Sequence, residues 1–372
     1  MTKGYSRFLT ILFCAFIGGV LLISTLLPDK DFSPLENRVL QSPPKLTLEN
    51  LQNGKFMEQA EDYASDHIVG RDFWVALKAW SERLSGKREN NGVYFAADDT
   101  LISRVEDPDM DKLNKDMGYL DTLVGNVNVP VYFGLIPTAA CIWADKLPAG
   151  APSADQQSTI DQLYFSTGAS TIDLITPLME HKEEEIFYRT DHHWTSLGAY
   201  YGANALLQAM GMEPLDLANY TKTTVTDQFY GTLFSSSGVR WLAPDHIDTY
   251  ISGEGITVTS YPSGSPVQTQ LYDESYLDQK DKYSYFLGGV QGLRVIHTQQ
   301  EDAPKVLLIR DSYSDSLAPF LTQRFSEIHL FDLRYNATSV KTYVEENDID
   351  AVAVLYSFSN FISDQNLGLM AR

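Results

Sequence analysis

Sulfhydryl chemistry is nearly missing from this chain, whose 372 residues include two cysteines, Cys14 and Cys141. Cys14 lies inside a long apolar run, so Cys141 stands alone in the remainder and no disulfide can form there. Stability must come from a packed core, for which an aromatic content of 12% is ample. Positive charge is scarce as well: 28 Lys and Arg face 49 Asp and Glu, a net charge of −21. Nucleic acid and anionic lipid surfaces are thereby excluded as main partners, because phosphate binding draws its affinity from Lys and Arg. A strongly polyanionic substrate is disfavoured for the same reason. The adjacent histidines His192 and His193 lack a third and fourth ligand at zinc-motif spacing, so neither a metal nor another cofactor is expected. Internal repeats and low-complexity tracts are lacking too.

What is present begins with Phe8 to Leu27, a run without a charge and long enough at helical rise to cross a hydrocarbon core of about 30 Å. Thirteen of its side chains are Leu, Ile, Phe or Val. At about −0.3 to −0.6 kcal/mol each, they favour insertion by at most about −4 to −8 kcal/mol. Lys3 and Arg7 precede the run and Asp29, Lys30 and Asp31 follow it, so the positive-inside rule directs the N-terminus to the cytoplasm and the body outside. Ser24-Thr25-Leu26-Leu27-Pro28 offers no small-x-small cleavage site, and Phe13 stands before Cys14 where lipidation wants a small residue. A retained single-pass anchor over 1–28 in the cell membrane is expected.

About 340 residues follow, room for one large α/β domain with insertions or for two domains. Residues 29–48, with Pro34, Pro43 and Pro44, read as a linker, and 49–372 as the main body. Phe56, Ala60, Tyr63, Ala64 and His67 recur at helical spacing, Gly70 interrupts, and Phe73, Leu77 and Trp80 resume it, which predicts two packed helices. Asn126 to Pro137, Lys305 to Ile309, Glu327 to Phe331 and Ala351 to Tyr356 are apolar, β-prone runs of the buried kind. Helical patterns such as Leu317, Phe320, Leu321 and Phe325 alternate with the later runs, which predicts a parallel sheet covered on both faces. About 211–302 is rich in Gly, Ser and Thr and reads as a β-rich insertion.

Two segments carry the chemistry. In Tyr188-Arg189-Thr190-Asp191-His192-His193-Trp194, an extended backbone would turn Asp191 and His193 to one side and His192 away. A carboxylate beside an imidazole fixes its tautomer and stabilises its charged form, as a general base requires. The competing readings are a metal site for the paired histidines and a packing role for His192. Trp194 is a core side chain, a substrate platform, or both. In Lys305-Val306-Leu307-Leu308-Ile309-Arg310-Asp311-Ser312-Tyr313-Ser314, a buried strand stops at a polar turn before a helix. Ligands of open α/β sheets bind at such strand ends. A Ser there is most often a helix N-cap, but Ser314 or Asp315 can cap instead, which frees Ser312 for nucleophilic work.

Asp191-His192-His193-Trp194 resembles the signature of the bacterial DHHW proteins, which are similar to the alginate O-acetylation proteins AlgJ and AlgX. Glu36-Asn37-Arg38, Gly70-Arg71-Asp72 and Asn90-Asn91-Gly92-Val93-Tyr94 look like that family's N-terminal pattern, and the resemblance extends over nearly all of the chain beyond the anchor. It implies an SGNH-hydrolase-like three-layer α/β sandwich whose parallel sheet is in permuted order. The triad it implies is Asp191, His193 and Ser312. Arg310 stands where the relatives often have Gly. An Arg and a Tyr help line the relatives' site, and Arg334 and Tyr356 are the counterparts here. Their other readings are a surface ion pair and a core tyrosine. The resemblance also implies acetyl transfer to an exported polysaccharide, with acetyl delivered by an MBOAT-type membrane O-acyltransferase. Carbohydrate acetylesterase activity shares every one of these residues. A non-catalytic assembly or glycan-binding role is the alternative of another class.

Overall fold

The computed structural model describes residues 3–33, 35–36, 38–262 and 264–372. The uncharged apolar run folds as helix α1, Lys3–Leu26, no residue of which is buried by the protein. By length and composition α1 can cross a membrane. The interrupted helical pattern gives α2, Lys55–Asp66, and α3, Arg71–Leu84, with Gly70 between them at φ +71°. Few residues other than glycine adopt that left-handed conformation.

These helices belong to a smaller compact unit formed by 1–90 with 235–241. This unit includes α2 and α3, which fall inside the 49–372 span read from the sequence as one body. The expected linker is tied down as well. Arg71 Nη1 lies 2.5 Å from Glu36 Oε1, Arg38 Nε lies 2.8 Å from Glu36 Oε2, and Arg38 also pairs with the buried Asp66. Glu36, Arg38 and Arg71 thus form one ionic knot, and Trp241 lies against Trp80 with ring centroids 4.6 Å apart and planes tilted by 49°. Pro34 of the linker and Asn37 of the Glu36-Asn37-Arg38 pattern lie outside the described residues.

The larger unit comprises 91–234 and 242–372. Besides a short antiparallel pair at Val93–Phe95 and Leu101–Ser103, its strands are β1 (Val131–Ile136), β2 (Ser170–Thr171), β3 (Thr223–Phe229), β4 (Asp245–Thr249), β5 (Thr257–Ser260), β6 (Val267–Thr269), β7 (Leu293–His297), β8 (Lys305–Arg310), β9 (Glu327–Phe331) and β10 (Ala351–Ser357). Eight of them make a mixed sheet in the order β6-β5-β7-β9-β8-β10-β1-β2. From β9 through β2 neighbours run parallel, whereas β6, β5 and β7 join antiparallel. A wholly parallel sheet was expected. The difference arises because part of the Gly/Ser/Thr-rich region extends the sheet edge, while β3 and β4 form a separate hairpin.

Val306, Leu307, Leu308 and Ile309 of β8 are fully buried, as are Val352 to Leu355 of β10, so both faces of the sheet are covered. Among the covering helices are α4 (Met110–Asn126), α5 (Ser196–Ala209), α6 (Tyr313–Leu321) and α7 (Val340–Glu346). α5 packs on α6, and α4 packs on α7 and the last turn at 367–371. Leu317, Phe320 and Leu321 are buried within α6, but the helix ends before Phe325. Ser312 follows β8 at its carboxyl end and opens α6, while α5 begins just after Trp194.

Candidate active site

Residues 186–195 form a loop folded back on itself rather than an extended strand. Phe187 and Trp194 make an antiparallel bridge, the Tyr188 N–H donates to His193 O at 3.2 Å, and the Thr195 N–H donates to Ile186 O at 3.0 Å. Within the loop Asp191 closes a turn, its Oδ1 accepting the backbone N–H of His193 at 3.0 Å and the ring Nδ1–H at 2.6 Å. His193 Nε2 then lies 2.8 Å from Ser312 Oγ, although 119 residues separate the two in sequence. With its Nδ1 proton directed to a carboxylate, His193 presents an Nε2 lone pair to the hydroxyl.

His192 does not point away. Its ring centroid is 3.9 Å from that of His193, because the backbone turns here instead of alternating. Its Nδ1 lies 2.7 Å from Thr232 Oγ1, and that hydroxyl together with the Thr232 N–H donates to Asp191 Oδ2 at 3.0 and 2.7 Å. Burial works against charge on Asp191, but His192, His193 and Thr232 together outweigh it and hold the carboxyl well below the usual range. Burial, with the neighbouring His193, pushes His192 down to about 4 and keeps it neutral. Ligand atoms of Asp191, His192 and His193 lie within 4.8 Å of one another, as a metal cluster would need. Both ring nitrogens of His193 are, however, already engaged with Asp191 and Ser312.

The turn that carries Ser312 is fastened by Asp311. Its Oδ1 accepts the Tyr313 N–H at 3.1 Å, and its Oδ2 accepts Ser357 N–H, Ser357 Oγ–H and Asn360 Nδ2–H at 2.8, 2.6 and 2.7 Å. Ser312 occupies the N-cap position with no side-chain cap bond, and Asp311 rather than Ser314 or Asp315 serves the helix end. Arg310 is wholly buried and lies 3.0 Å from Asp315 across the first turn of α6. Burial raises the Asp315 carboxyl, against the pull of Arg310, Arg294 and His193.

Trp194 has no exposed surface, so it cannot be a platform for substrate. Its Nε1–H donates to Tyr313 O at 2.9 Å and Ser316 Oγ at 3.1 Å, stitching the histidine loop to α6. Its ring fits only because residue 202 is glycine, where a Cβ would come within 2.4 Å of it. Tyr356 is buried and its hydroxyl has no hydrogen-bond partner, which is the core reading. Arg334 is half-buried and fixed to Asp332 by bonds of 2.8 and 2.6 Å. Neither residue bonds to the Asp191, His193 and Ser312 side chains.

Tyr283 carried no signal in the sequence. Its ring stacks on His193 with centroids 3.7 Å apart and planes 8° from parallel, and its hydroxyl donates to Ser312 O at 3.1 Å. Gly231 and Thr232 were missed too. All three lie in the region read as an insertion, where no motif marks them.

The family model described as DHHW protein matches residues 121–331, more than half of the chain and a span containing both the Asp191 to Trp194 element and Ser312. The "Probable alginate O-acetylase AlgJ" of Pseudomonas syringae pv. tomato is 25% identical over 224 residues, covering 57% of this chain and 55% of that protein. The protein of the same name from Pseudomonas putida is 24% identical over 188 residues, covering 47% and 49%. The chain thus spans about half the length of these relatives. A crystal structure of a DHHW family protein from Eubacterium siraeum, 25% identical, aligns over 76% of this chain and 95% of that one with a TM-score of 0.66. PatB1 of Bacillus cereus, in a structure with a sulfonyl adduct, is 19% identical and aligns over 75% and 99% with a TM-score of 0.61.

Proposed function

Because this chain belongs to the DHHW protein family, we propose that it is a serine O-acetyltransferase that modifies an exported polysaccharide outside the membrane. The observation that carries the reading is the continuous chain of bonds from Asp191 through His193 to Ser312. Relatives named as probable alginate O-acetylases support acetylation of a polysaccharide in general terms. The finer fold reading, an SGNH-hydrolase-like three-layer sandwich in permuted order, is supported by a chain in which the Asp-x-His element precedes the serine.

In the proposed reaction His193 Nε2 takes the Ser312 proton as Oγ attacks the carbonyl carbon of an acetyl donor. Asp191 stabilises the imidazolium so formed without accepting its proton. The N-terminal end of α6 offers N–H groups to the developing oxyanion. Collapse expels the donor's leaving oxygen, which takes the proton back from His193, and leaves acetyl-Ser312. A sugar hydroxyl then gives its proton to His193 and attacks the acetyl carbon, and Ser312 leaves reprotonated. Water in place of the sugar gives the acetylesterase reaction. A purely structural role in an export complex is opposed by the intact triad.

The acetyl group must reach an extracytoplasmic site through the membrane, and one helix encloses no polar path. A multipass MBOAT-type O-acyltransferase is the proposed donor, with α1 retained as the anchor that keeps the two together. The uncovered apolar surface of α1 supports that reading.

The test uses the full chain in detergent micelles, with hydrolysis of p-nitrophenyl acetate and labelling by a sulfonyl fluoride. Ser312→Ala and His193→Ala are expected to lose activity by at least about 10³-fold, Asp191→Asn by less than His193→Ala, and His192→Ala only mildly. Full activity or undiminished labelling in Ser312→Ala would overturn the proposal.

A further inference from the structure

Away from the triad, the larger unit carries a groove of about 690 Å³ between the β3–β4 hairpin, the 298–300 loop and the C-terminal end of α6. Four tyrosines line it: Tyr220, Tyr250, Tyr272 and Tyr285. The Tyr272 and Tyr285 rings stack with centroids 5.2 Å apart, and Tyr250 leans on Phe320 of α6 at 6.1 Å. Among the described residues the hydroxyls of Tyr220, Tyr250 and Tyr285 make no hydrogen bond to the protein. The amides of Asn219, Gln299, Gln300 and Gln323, with several Ser and Thr hydroxyls, add neutral polar groups to the lining.

Charge narrows the ligand class. Among the described lining residues the charged ones are Glu254 and Glu274, both acidic. Two cations lie nearby but are committed elsewhere. Lys222 Nζ is 2.9 Å from Asp248, and the Arg324 guanidinium donates to Glu213 O and Pro214 O at 3.1 Å each. A ligand bearing carboxylates or phosphates would thus meet repulsion without a partner. Aromatic bodies with free polar tips, beside neutral amides, match the surface of a sugar ring. Its C–H faces lie against aromatic planes and its equatorial hydroxyls pair with amides and phenols.

We propose that this groove is a saccharide-binding site, separate from the catalytic serine, that holds a neutral polysaccharide strand. The nine residues of α6 span about 13 Å between it and Ser312. The single turn 282–285 touches both places, with Tyr283 on His193 and Tyr285 in the groove. A strand held here raises the local concentration of its own hydroxyls around acetyl-Ser312. The inference rests on the glycan-modifying reading only in taking that strand as the acceptor; binding itself is tested apart from catalysis.

Calorimetric titration of full-length Ser312→Ala in detergent micelles, against neutral hexasaccharides of glucose and of N-acetylglucosamine and against a mannuronate hexamer, is the test. At least one neutral chain is expected to bind more tightly than the uronate, and Tyr250→Ala and Tyr220→Ala to weaken it by about tenfold each. Made in the Ser312 background of the native protein, the same two changes should leave p-nitrophenyl acetate hydrolysis intact, which also checks that they fold. No binding by any neutral chain, equal or tighter binding of the uronate, or binding indifferent to both tyrosines would overturn the proposal. Loss of catalysis in Ser312→Ala bears only on the function proposed above.

Discussion

Replacing Gly231 by alanine alters no catalytic side chain, yet it should disable the proposed triad. A Cβ built on Gly231 would lie 2.2 Å from Asp191 Cβ, 2.4 Å from its Oδ2 and 2.7 Å from its Cα. Carbon atoms in contact normally sit about 3.5–4.0 Å apart, so one of the two segments must move by more than about 1 Å. No flexible end is available to yield, since the Asp191 side chain is short and pinned on both oxygens. Its hold on His193 Nδ1 at 2.6 Å and on the Thr232 N–H at 2.7 Å cannot both survive such a shift. Misplacement of that size costs about 10²-fold in rate, and full loss of the carboxylate's orienting role about 10⁴-fold. That range corresponds to about 3–5 kcal/mol of transition-state stabilisation. The assay is kcat for p-nitrophenyl acetate with the purified full chain, alongside its melting temperature. Activity within about threefold of the native protein, at an unchanged melting temperature, would refute the packing argument.

Tyr283→Phe keeps the stack on His193 but loses the bond to Ser312 O, and it should lower kcat by up to about tenfold at constant KM. Tyr283→Ala should lower kcat further and alter its pH profile; identical profiles would count against a positioning role. Arg310→Met leaves Asp315 buried without its nearest cation and should cost about 3–5 kcal/mol in denaturant unfolding, whereas Arg310→Met with Asp315→Leu should recover most of it. A double variant as unstable as the single would refute this. Burial holds His329 down to about 4, below its unfolded value of about 6.5, so below pH 6.5 the unfolded chain binds more protons. Stability is therefore full above that pH and falls by at most about 3 kcal/mol as pH drops to 4. His329→Gln should flatten that slope in thermal melts, and an unchanged slope would rule out this assignment.

The apolar runs gave β1, β8, β9 and β10 within a few residues, because fully buried strands need uninterrupted apolar side chains on both faces. The Asp191, His193 and Ser312 positions were legible as chemistry and as a family resemblance, and the structure brings them within hydrogen-bond reach. The orientation of His192 was not legible, since it depends on Asp191 capping the His193 N–H and so bending a segment that reads as extended. Tyr283, Gly231 and Thr232 reach the site through tertiary contacts that leave no local periodicity. Strands β6 and β7, at the antiparallel side of the sheet, are short and part polar, and such segments are hard to tell from loops until a neighbouring strand receives them. Arg310, where the relatives often have Gly, is paired with Asp315, a partner that sequence spacing alone did not suggest.

The position of β10 sets the timing of the whole site. It lies between β8 and β1, and its end supplies the Ser357 groups that grip Asp311. Until β10 emerges, the strand leading to the serine has no sheet bond to the earlier half of the chain, and the turn that aims the serine is unfastened. Nearly all of the polypeptide must therefore be synthesised before Ser312 is held in place beside His193. Such long-range closure is slow relative to local helix formation. Under the proposed reaction, a nascent chain that lacks β10 would be inert toward the esters around it.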